Sequence, residues 1–311
     1  MELRQLRYLV RVVELGSMGR ASAELGVTTS TLSQQISTLE GGLSTRLLQR
    51  RSTGVVPTAA GLDFYRQAQL ILRQVEDATR IAQHGRLAGH VSVGMAPTTA
   101  ARLALPFMRA MAERYADIRL HVVEGLSGHV SALLNSRQID LAVVFDTQAA
   151  RRWSVMPLLE ESLFVIAPPA SLATLPQRAG RVRLQALAGM PLVLPSTGAG
   201  SLRSLVDAAL ARAAVQPRVV AEIDGLDTLL AAVRAGMGAT LHTASALALL
   251  RDDTLGALEV ADAQLRRQSL LASLSDDELS PAGLAARVVL AETARGLLER
   301  GEWRGARVVT P

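Results

Sequence analysis

A run of hydroxyl and amide side chains between positions 28 and 42 is the part of the sequence best suited to hydrogen bonding. Its single charged residue is Glu40. Short hydroxyls and amides both donate and accept hydrogen bonds, so on one helix face they match base edges and phosphates in a DNA major groove. A solvated Ser/Thr-rich face is the alternative. The candidate DNA-contacting residues are Thr28, Thr29, Ser30, Thr31, Ser33, Gln34 and Ser37.

Two adjacent arginines, Arg50 and Arg51, precede a Ser-Thr-Gly turn at positions 52–54. The segment from Arg46 to Thr58 predicts two short strands around this turn, which together form a wing. Guanidinium groups on a wing can neutralise DNA phosphates. The same pair can equally be an ordinary solvated surface patch, so both interpretations stay open at this point.

Two turns later in the chain repeat one another. Pro97-Thr98-Thr99 follows one apolar strand, Pro195-Ser196-Thr197 follows another, and each turn leads into a helix. In open α/β sheets, ligands bind beyond the carboxyl ends of strands, and helix N-termini favour anions. We therefore expect a small polar or anionic ligand between two facing lobes. Ordinary helix capping by Ser and Thr is the alternative for either turn alone.

The sequence offers no constellation for catalysis or for a cofactor. There is no cysteine, and none of the five histidines has a partner at metal-ligand spacing. A nucleophile elbow of the G-x-S-x-G type is absent, and a Walker A loop is excluded because the chain contains no lysine. We therefore expect no enzymatic activity, no cofactor and no metal.

The hydroxyl face needs a helix to carry it, and the first 58 residues predict a winged helix-turn-helix. Gly26 permits a tight turn between a second and a third helix, and Thr28 can cap the third. Apolar residues of the third helix recur at i, i+4, i+7 and i+11, which predicts a buried stripe opposite the hydroxyl face. The stripe consists of Leu32, Ile36, Leu39 and Leu43.

Residues 59–88 predict a long linker helix, because this segment contains no proline. Its apolar positions follow a 4-3-4-3-4 spacing, a heptad seam that needs a second helix to cover it. Pairing with the same helix of another subunit gives a homodimer, which would place two recognition helices on an interrupted palindrome. Packing on the chain's own domain through Leu62, Tyr65 and Leu72 is the alternative. The seam residues are Phe64, Ala68, Ile71, Val75, Ala78 and Ala82.

From residue 89 to residue 305, apolar strands alternate with helical patterns, which is typical of α/β units. The pattern predicts a regulatory domain of two α/β lobes, with strands at 91–96 and 191–194 leading into the two repeated turns. Positions 155–167 predict two further strands. The fold class is thus α/β, preceded by a winged helix-turn-helix and a long linker helix.

These features resemble the LysR-type transcriptional regulators. The N-terminal segments that carry the resemblance are Leu3–Leu9, Leu25–Thr28, Leu32–Ile36, Leu47–Arg50 and Thr58–Gly61. The resemblance implies a C-terminal effector-binding domain of periplasmic-binding-protein type. It also places Ser127, Phe145 and Asp224 at the cleft between the lobes.

The same resemblance implies sequence-specific regulation of transcription by a homodimer that pairs into a homotetramer, with RNA polymerase as a further partner. Two positions depart from the family pattern. Thr29-Ser30 stands where Gln-Pro is usual, and Thr53 stands where a basic residue usually precedes the wing glycine. The DNA sequence that this chain reads can therefore differ from that of its relatives.

Several C-terminal segments are similar to the branch of the family that controls nitrogen assimilation. They are Gly94–Ala100, Leu194–Thr197, Glu222–Leu230 and Ala235–Gly238. This similarity implies a role in nitrogen assimilation, with an effector that is not required. A broader branch that regulates the catabolism of aromatic compounds or organic acids is the alternative.

Composition bounds the function without deciding it. The net charge is +5, and all 33 basic residues are arginine, which permits nucleic-acid binding. No signal-peptide pattern opens the sequence and no apolar run is long enough to span a bilayer, so we expect a cytoplasmic protein without membrane contact. The competing interpretation is a small-molecule solute-binding module without DNA function, which two lobes would also fit.

Overall fold

The computed structural model of the chain describes residues 1–51, 54–84, 87–145, 153–196, 202–250, 254–262, 265–275 and 279–309; of residues 50, 73, 77 and 80–84 it describes the backbone alone. The chain forms two compact units. The first comprises residues 1–90 with 136–138, and the second comprises residues 91–135 with 139–311.

The first unit consists of helices and one antiparallel hairpin. Its described elements are α1 (Leu3–Leu15), α2 (Met18–Leu25), α3 (Thr29–Leu43), β1 (Leu48–Arg51), β2 (Gly54–Pro57) and α4 (Ala59–His84). Gly26 ends α2 in the left-handed region with φ 66°, and the Thr28 hydroxyl accepts a hydrogen bond of 3.2 Å from the Thr31 N–H. The predicted turn and the predicted cap are both present, and they fix the angle at which α3 leaves α2.

The apolar stripe of α3 is buried along most of its length. Leu32, Ile36 and Leu39 lie in the core, where they meet apolar residues of α1 and the hairpin. The prediction for Leu43 is wrong, because its side chain is 37% exposed. Glu40 is buried in the last part of the helix instead, since its carboxylate accepts hydrogen bonds from the start of β1.

The first turns of α4 pack against α1 within the same chain. Phe64 contacts the core around Leu9, Leu39 and Leu47, and Ala68 is only 1% exposed. A side chain already covered by its own chain cannot add surface to a dimer, so the assignment of Ala68 to the dimer seam is wrong. The half-buried Ile71 and Val75 and the exposed Ala78 remain open to a partner helix.

The second unit is a mixed α/β structure. Its strands are β3 (Gly89–Met95), β4 (Ile118–Glu124), β5 (Leu141–Val144), β6 (Ser154–Ala167), β7 (Gln177–Arg178), β8 (Arg181–Val182), β9 (Pro191–Leu194), β10 (Arg218–Glu222), β11 (Thr240–Thr243), β12 (Gly256–Val260), β13 (Arg266–Ser273) and β14 (Ala306–Arg307). Its helices are α5 (Pro97–Arg114), α6 (Ser127–Asn135), α7 (Pro169–Ala173), α8 (Leu202–Arg212), α9 (Leu226–Arg234) and α10 (Pro281–Glu299), with 3-10 turns at Leu184–Leu187 and Ala244–Leu249.

One long strand joins the two lobes of this unit. β6 pairs with β13 from Ser154 to Ser162 and then with β11 and β12 from Leu163 onward. The prediction of two strands over 155–167 is therefore wrong, because backbone pairing continues without a break through the polar pair Glu160-Glu161. The first lobe contains β3, β4, β5 and β13, and the second contains β9 to β12.

Parallel pairs set the direction of the two turns predicted to bind a ligand. β3 pairs with β5 in the first lobe, and β9 pairs with β10 in the second. The carboxyl ends of β3 and β9 therefore lead into α5 and toward α8, as the sequence predicted. Among the described residues, no helix is long and apolar enough to cross a membrane.

Candidate functional site

The hydroxyl face of α3 lies on the surface of the first unit. Its members are exposed except Ser33, which is half-buried. The Thr29 hydroxyl lies 2.9 Å from the Ser22 hydroxyl, so this departure from the family pattern ties α3 to α2. The structure thus brings together, on one helix and its N-cap, the predicted residues Thr28, Thr29, Ser30, Thr31, Ser33, Gln34 and Ser37.

Hydrogen bonds divide this face into occupied and available groups. The Thr28 hydroxyl lies 2.9 Å from that of Ser30 and 2.8 Å from that of Thr31. Within the described part of the chain, the side chains of Gln34 and Ser37 have no hydrogen-bond partner. Gln34 is exposed, and its amide offers the paired donor and acceptor that match adenine in the major groove.

A buried carboxylate fixes the wing to α3. Glu40 Oε1 accepts hydrogen bonds from the N–H of Leu47 at 2.7 Å and of Leu48 at 3.0 Å. Arg46 Nη1 lies 3.8 Å from the other carboxylate oxygen. This role of Glu40 was not predicted from the sequence, although Glu40 is the single charged residue between positions 28 and 42. Arg51 is exposed at the end of β1, and the side chain of Arg50 lies outside the described residues.

A cavity of about 410 Å³ opens between the two lobes of the second unit. One of the predicted cavity residues, Thr99, is buried and does not line the cavity. Thr197 lies outside the described residues, and so does the side chain of Ala82 in the predicted dimer seam. Six predicted site residues line the cavity, namely Pro97, Thr98, Ser127, Phe145, Ser196 and Asp224.

An ion pair buried within the protein forms one wall of the cavity. Arg267 Nη2 donates to Glu161 Oε2 at 2.5 Å and to the Thr98 hydroxyl at 3.3 Å. Its guanidinium carbon lies 3.8 Å from the centre of the Phe145 ring. Glu161 Oε1 also accepts hydrogen bonds from Ser245 at 2.9 Å and from the Trp303 indole at 3.0 Å. The carboxylate is therefore fully engaged, as a buried charge requires.

His242 is a neutral hydrogen-bond donor on the cavity wall. The side chain is 7% exposed, and burial lowers its pKa to about 3, with a further contribution from the charge of Arg267. The Thr243 N–H donates to His242 Nδ1 at 2.9 Å, so the single ring proton must reside on Nε2. Among the described residues, Nε2–H has no partner in the protein.

A carboxylate already occupies the turn after β9. The N–H of Ser196 donates to Asp224 Oδ1 at 3.3 Å, and the Ser196 hydroxyl donates to the same oxygen. Arg203 Nη1 holds the turn from the other side by donating to the Pro195 carbonyl at 3.1 Å. The donors that were expected to meet an anionic ligand at this turn are therefore engaged by the chain itself.

The described residues contain no cluster of His, Asp or Glu that could hold a metal ion. Sequence reasoning missed Glu161, His242, Arg267 and Trp303. These residues come from segments up to 142 positions apart, and only the pairing of β6 with its neighbours brings them together.

Comparison with known proteins covers nearly the whole chain. Residues 3–62 match the family described as bacterial regulatory helix-turn-helix protein, lysR family, and residues 84–295 match the LysR substrate binding domain. The nitrogen assimilation regulatory protein nac of Escherichia coli (strain K12) is 32% identical over 98% of this chain and 99% of its own length. The protein of the same name from Klebsiella aerogenes is also 32% identical, over 97% and 98%.

Solved structures resemble the chain over its whole length. CbnR complexed with its target DNA has a TM-score of 0.72 at 22% identity, covering 94% of this chain and 100% of that one, which supports the fold. An H2O2-bound mutant of OxyR from Corynebacterium glutamicum has a TM-score of 0.61 at 25% identity, covering 100% and 99%.

Proposed function

The chain belongs to the LysR family of DNA-binding bacterial transcriptional regulators, and on this basis we propose that it reads its operator through Gln34 and the neighbouring hydroxyls of α3. The main support is that α3 exposes an uncharged face. On this face the side chains of Gln34 and Ser37 have no hydrogen-bond partner among the described residues. Such a face suits base edges, while Arg50 and Arg51 on the wing suit phosphates.

The second unit provides the regulatory input in this proposal. A small-molecule effector enters the inter-lobe cavity, which is lined by Thr98, Ser127 and Ser196 among others. Subunits pair through the outer part of α4, dimers pair into tetramers, and the operator is an interrupted palindrome near a promoter served by RNA polymerase. The protein acts in the cytoplasm, and it performs no catalysis. The similarity to the two nac proteins supports a role in nitrogen assimilation.

Capture of genomic fragments by the purified full-length protein tests the proposal. We expect the captured fragments to share an interrupted palindrome. Failure to enrich any fragment over random DNA would contradict the proposal and favour a solute-binding module. Enrichment near nitrogen-metabolism genes would support a role in nitrogen assimilation. Enrichment near genes for aromatic or organic-acid catabolism would instead support a role in those pathways.

Two variants separate base reading from phosphate binding on the captured site. Gln34→Ala should weaken binding to the specific duplex by about ten- to a hundredfold and leave the salt dependence unchanged. Arg51→Ala should weaken all duplexes alike and reduce the salt slope by about one. If Gln34→Ala lowers the affinity for specific and random duplexes equally, Gln34 does not contact bases specifically.

A further inference from the structure

The charges around the cavity do not favour an anion. Arg267 is the single guanidinium among the described lining residues, and Glu161 neutralises it at 2.5 Å. Asp224 adds a negative charge at the opposite lobe. A bound carboxylate would therefore lose its water and meet at least as much negative as positive charge. Such a transfer is costly when no countercharge is available.

The cavity instead presents an unpaired donor. Nε2–H of His242 belongs to a side chain that is more than nine-tenths buried, and it has no partner among the described residues. A ligand that fills the cavity displaces water from this N–H, and the loss costs free energy unless the ligand supplies an acceptor. The ring cannot serve as a cation here, because the Thr243 N–H holds Nδ1 in its accepting form. Arg267 Nε, in the same wall, is buried without a hydrogen-bond partner among the described residues and would also favour an acceptor.

Most of the remaining wall is apolar. Leu126, Leu202, Leu226 and Leu229 line the cavity together with the ring of Phe145. These residues come from both lobes, so a ligand between them would bury carbon atoms on two sides. Burial of that kind favours molecules with a large apolar part and few polar groups.

We propose that this cavity selects uncharged, largely apolar molecules that present a hydrogen-bond acceptor to His242, and that it rejects carboxylates of the same shape. The proposal rests on the proposed effector role of the cavity and narrows its ligand class. A primary amide and the matching carboxylic acid differ in charge and little in shape, which makes such pairs the appropriate probes.

The test measures binding of three such pairs to the full-length protein by calorimetry at pH 7.5. The pairs are benzamide with benzoate, cyclohexanecarboxamide with its carboxylate, and hexanamide with hexanoate. We expect at least one amide to bind, and to bind about tenfold or more tightly than its acid. His242→Leu should weaken amide binding about tenfold, and His242→Gln, which retains an N–H donor, should restore most of it.

Asp224→Asn provides a second test at a different residue of the cavity. Its result does not depend on whether the His242 variants fold. Because the substitution removes a negative charge that lines the cavity, it should reduce the ratio of amide affinity to acid affinity. Tighter binding of the acids would overturn the ligand class while leaving the cavity as an effector site. Absence of binding by every probe would overturn the inference. The capture of genomic fragments would still test DNA recognition independently. Amide binding that is indifferent to His242→Leu would also overturn it.

Discussion

Among single residues, Glu40 shows most directly how a side chain that need not touch DNA can control the reading surface. Replacing it by alanine would leave the N–H groups of Leu47 and Leu48 without an acceptor. We expect Glu40→Ala to destabilise the first unit by about 2 kcal/mol and to loosen the wing. Faster amide hydrogen exchange at Leu47 and weaker DNA binding would be the two readouts.

Glu40→Gln is the matched control, because its amide oxygen can still accept from both N–H groups. This variant should keep slow exchange at Leu47 and most of the DNA affinity. Equal losses in the two variants would mean that the charge, through Arg46 at 3.8 Å, matters more than the two hydrogen bonds.

The lowered pKa of His242 predicts how the stability of the second unit depends on pH. Its folded pKa of about 3 lies below the ordinary value of 6.5, so between these values the unfolded chain binds the extra proton. Stability therefore falls as the pH is lowered from 6.5 toward 3, and the loss reaches about 2 kcal/mol at pH 5. Both tryptophans, Trp153 and Trp303, lie in the second unit, so tryptophan fluorescence during urea unfolding reports on it.

The control for this prediction is His242→Gln, which cannot take up a proton at that position. Its free energy of unfolding should fall less between pH 7 and pH 5 than that of the parent protein. The same pH dependence in both proteins would assign the effect to groups other than this imidazole.

At the level of elements, the close approach of α4 to the start of the wing depends on Gly61. A Cβ atom at this position would lie 1.8 Å from the Leu47 carbonyl oxygen. We expect Gly61→Ala to force α4 away from the wing and to destabilise the first unit by about 2 kcal/mol or more. Thermal unfolding followed by circular dichroism measures the change.

Gly42→Ala is the comparison, since a Cβ atom there meets nothing within 4 Å in the last turn of α3. Alanine favours a helix over glycine, so this variant should be slightly more stable, by about 0.5 kcal/mol. A tolerated Gly61→Ala would show that α4 can move without cost.

Local signals explain which elements the sequence could predict. The turn at Gly26, the cap at Thr28 and the strand Pro191–Leu194 depend on neighbours in the chain, and each is found where the sequence indicated. β11 and β12 were not predicted, because each is a short strand defined by its pairing with β6. Four or five residues are too few to show a clear hydrophobic period.

The residues of the candidate cavity also differ in whether local sequence signals could predict them. Thr98 and Ser196 could be predicted, because each follows a strand and precedes a helix. Glu161 and Arg267 could not, since 106 positions separate them and their pairing depends on the register between β6 and β13. The charge of the cavity, and with it the expected ligand, therefore depends on tertiary structure.

For the whole molecule, we expect association through the part of α4 that lies beyond its contact with α1. Ile71→Arg would put a charge into the proposed seam, so the oligomer should dissociate and affinity for a palindrome should fall about a hundredfold or more. Sedimentation velocity and DNA titration measure these effects.

Glu76→Arg introduces the same side chain at an exposed position on another side of α4. It should leave the sedimentation coefficient unchanged. Dissociation by both variants would point to a general effect of charge on the helix, and dissociation by neither would exclude this seam as the dimer contact.

The absence of any exposed cation on α3 also affects how the regulator searches a chromosome. Attachment to an arbitrary duplex depends on cations held against phosphates, and the exposed side chains of α3 contribute none. Incorrect sequences are therefore held mainly through groups outside the reading helix, and the protein should leave them quickly. Its residence time on a duplex then depends on base contacts. A small number of protein molecules can therefore still occupy the few genomic positions that supply those contacts.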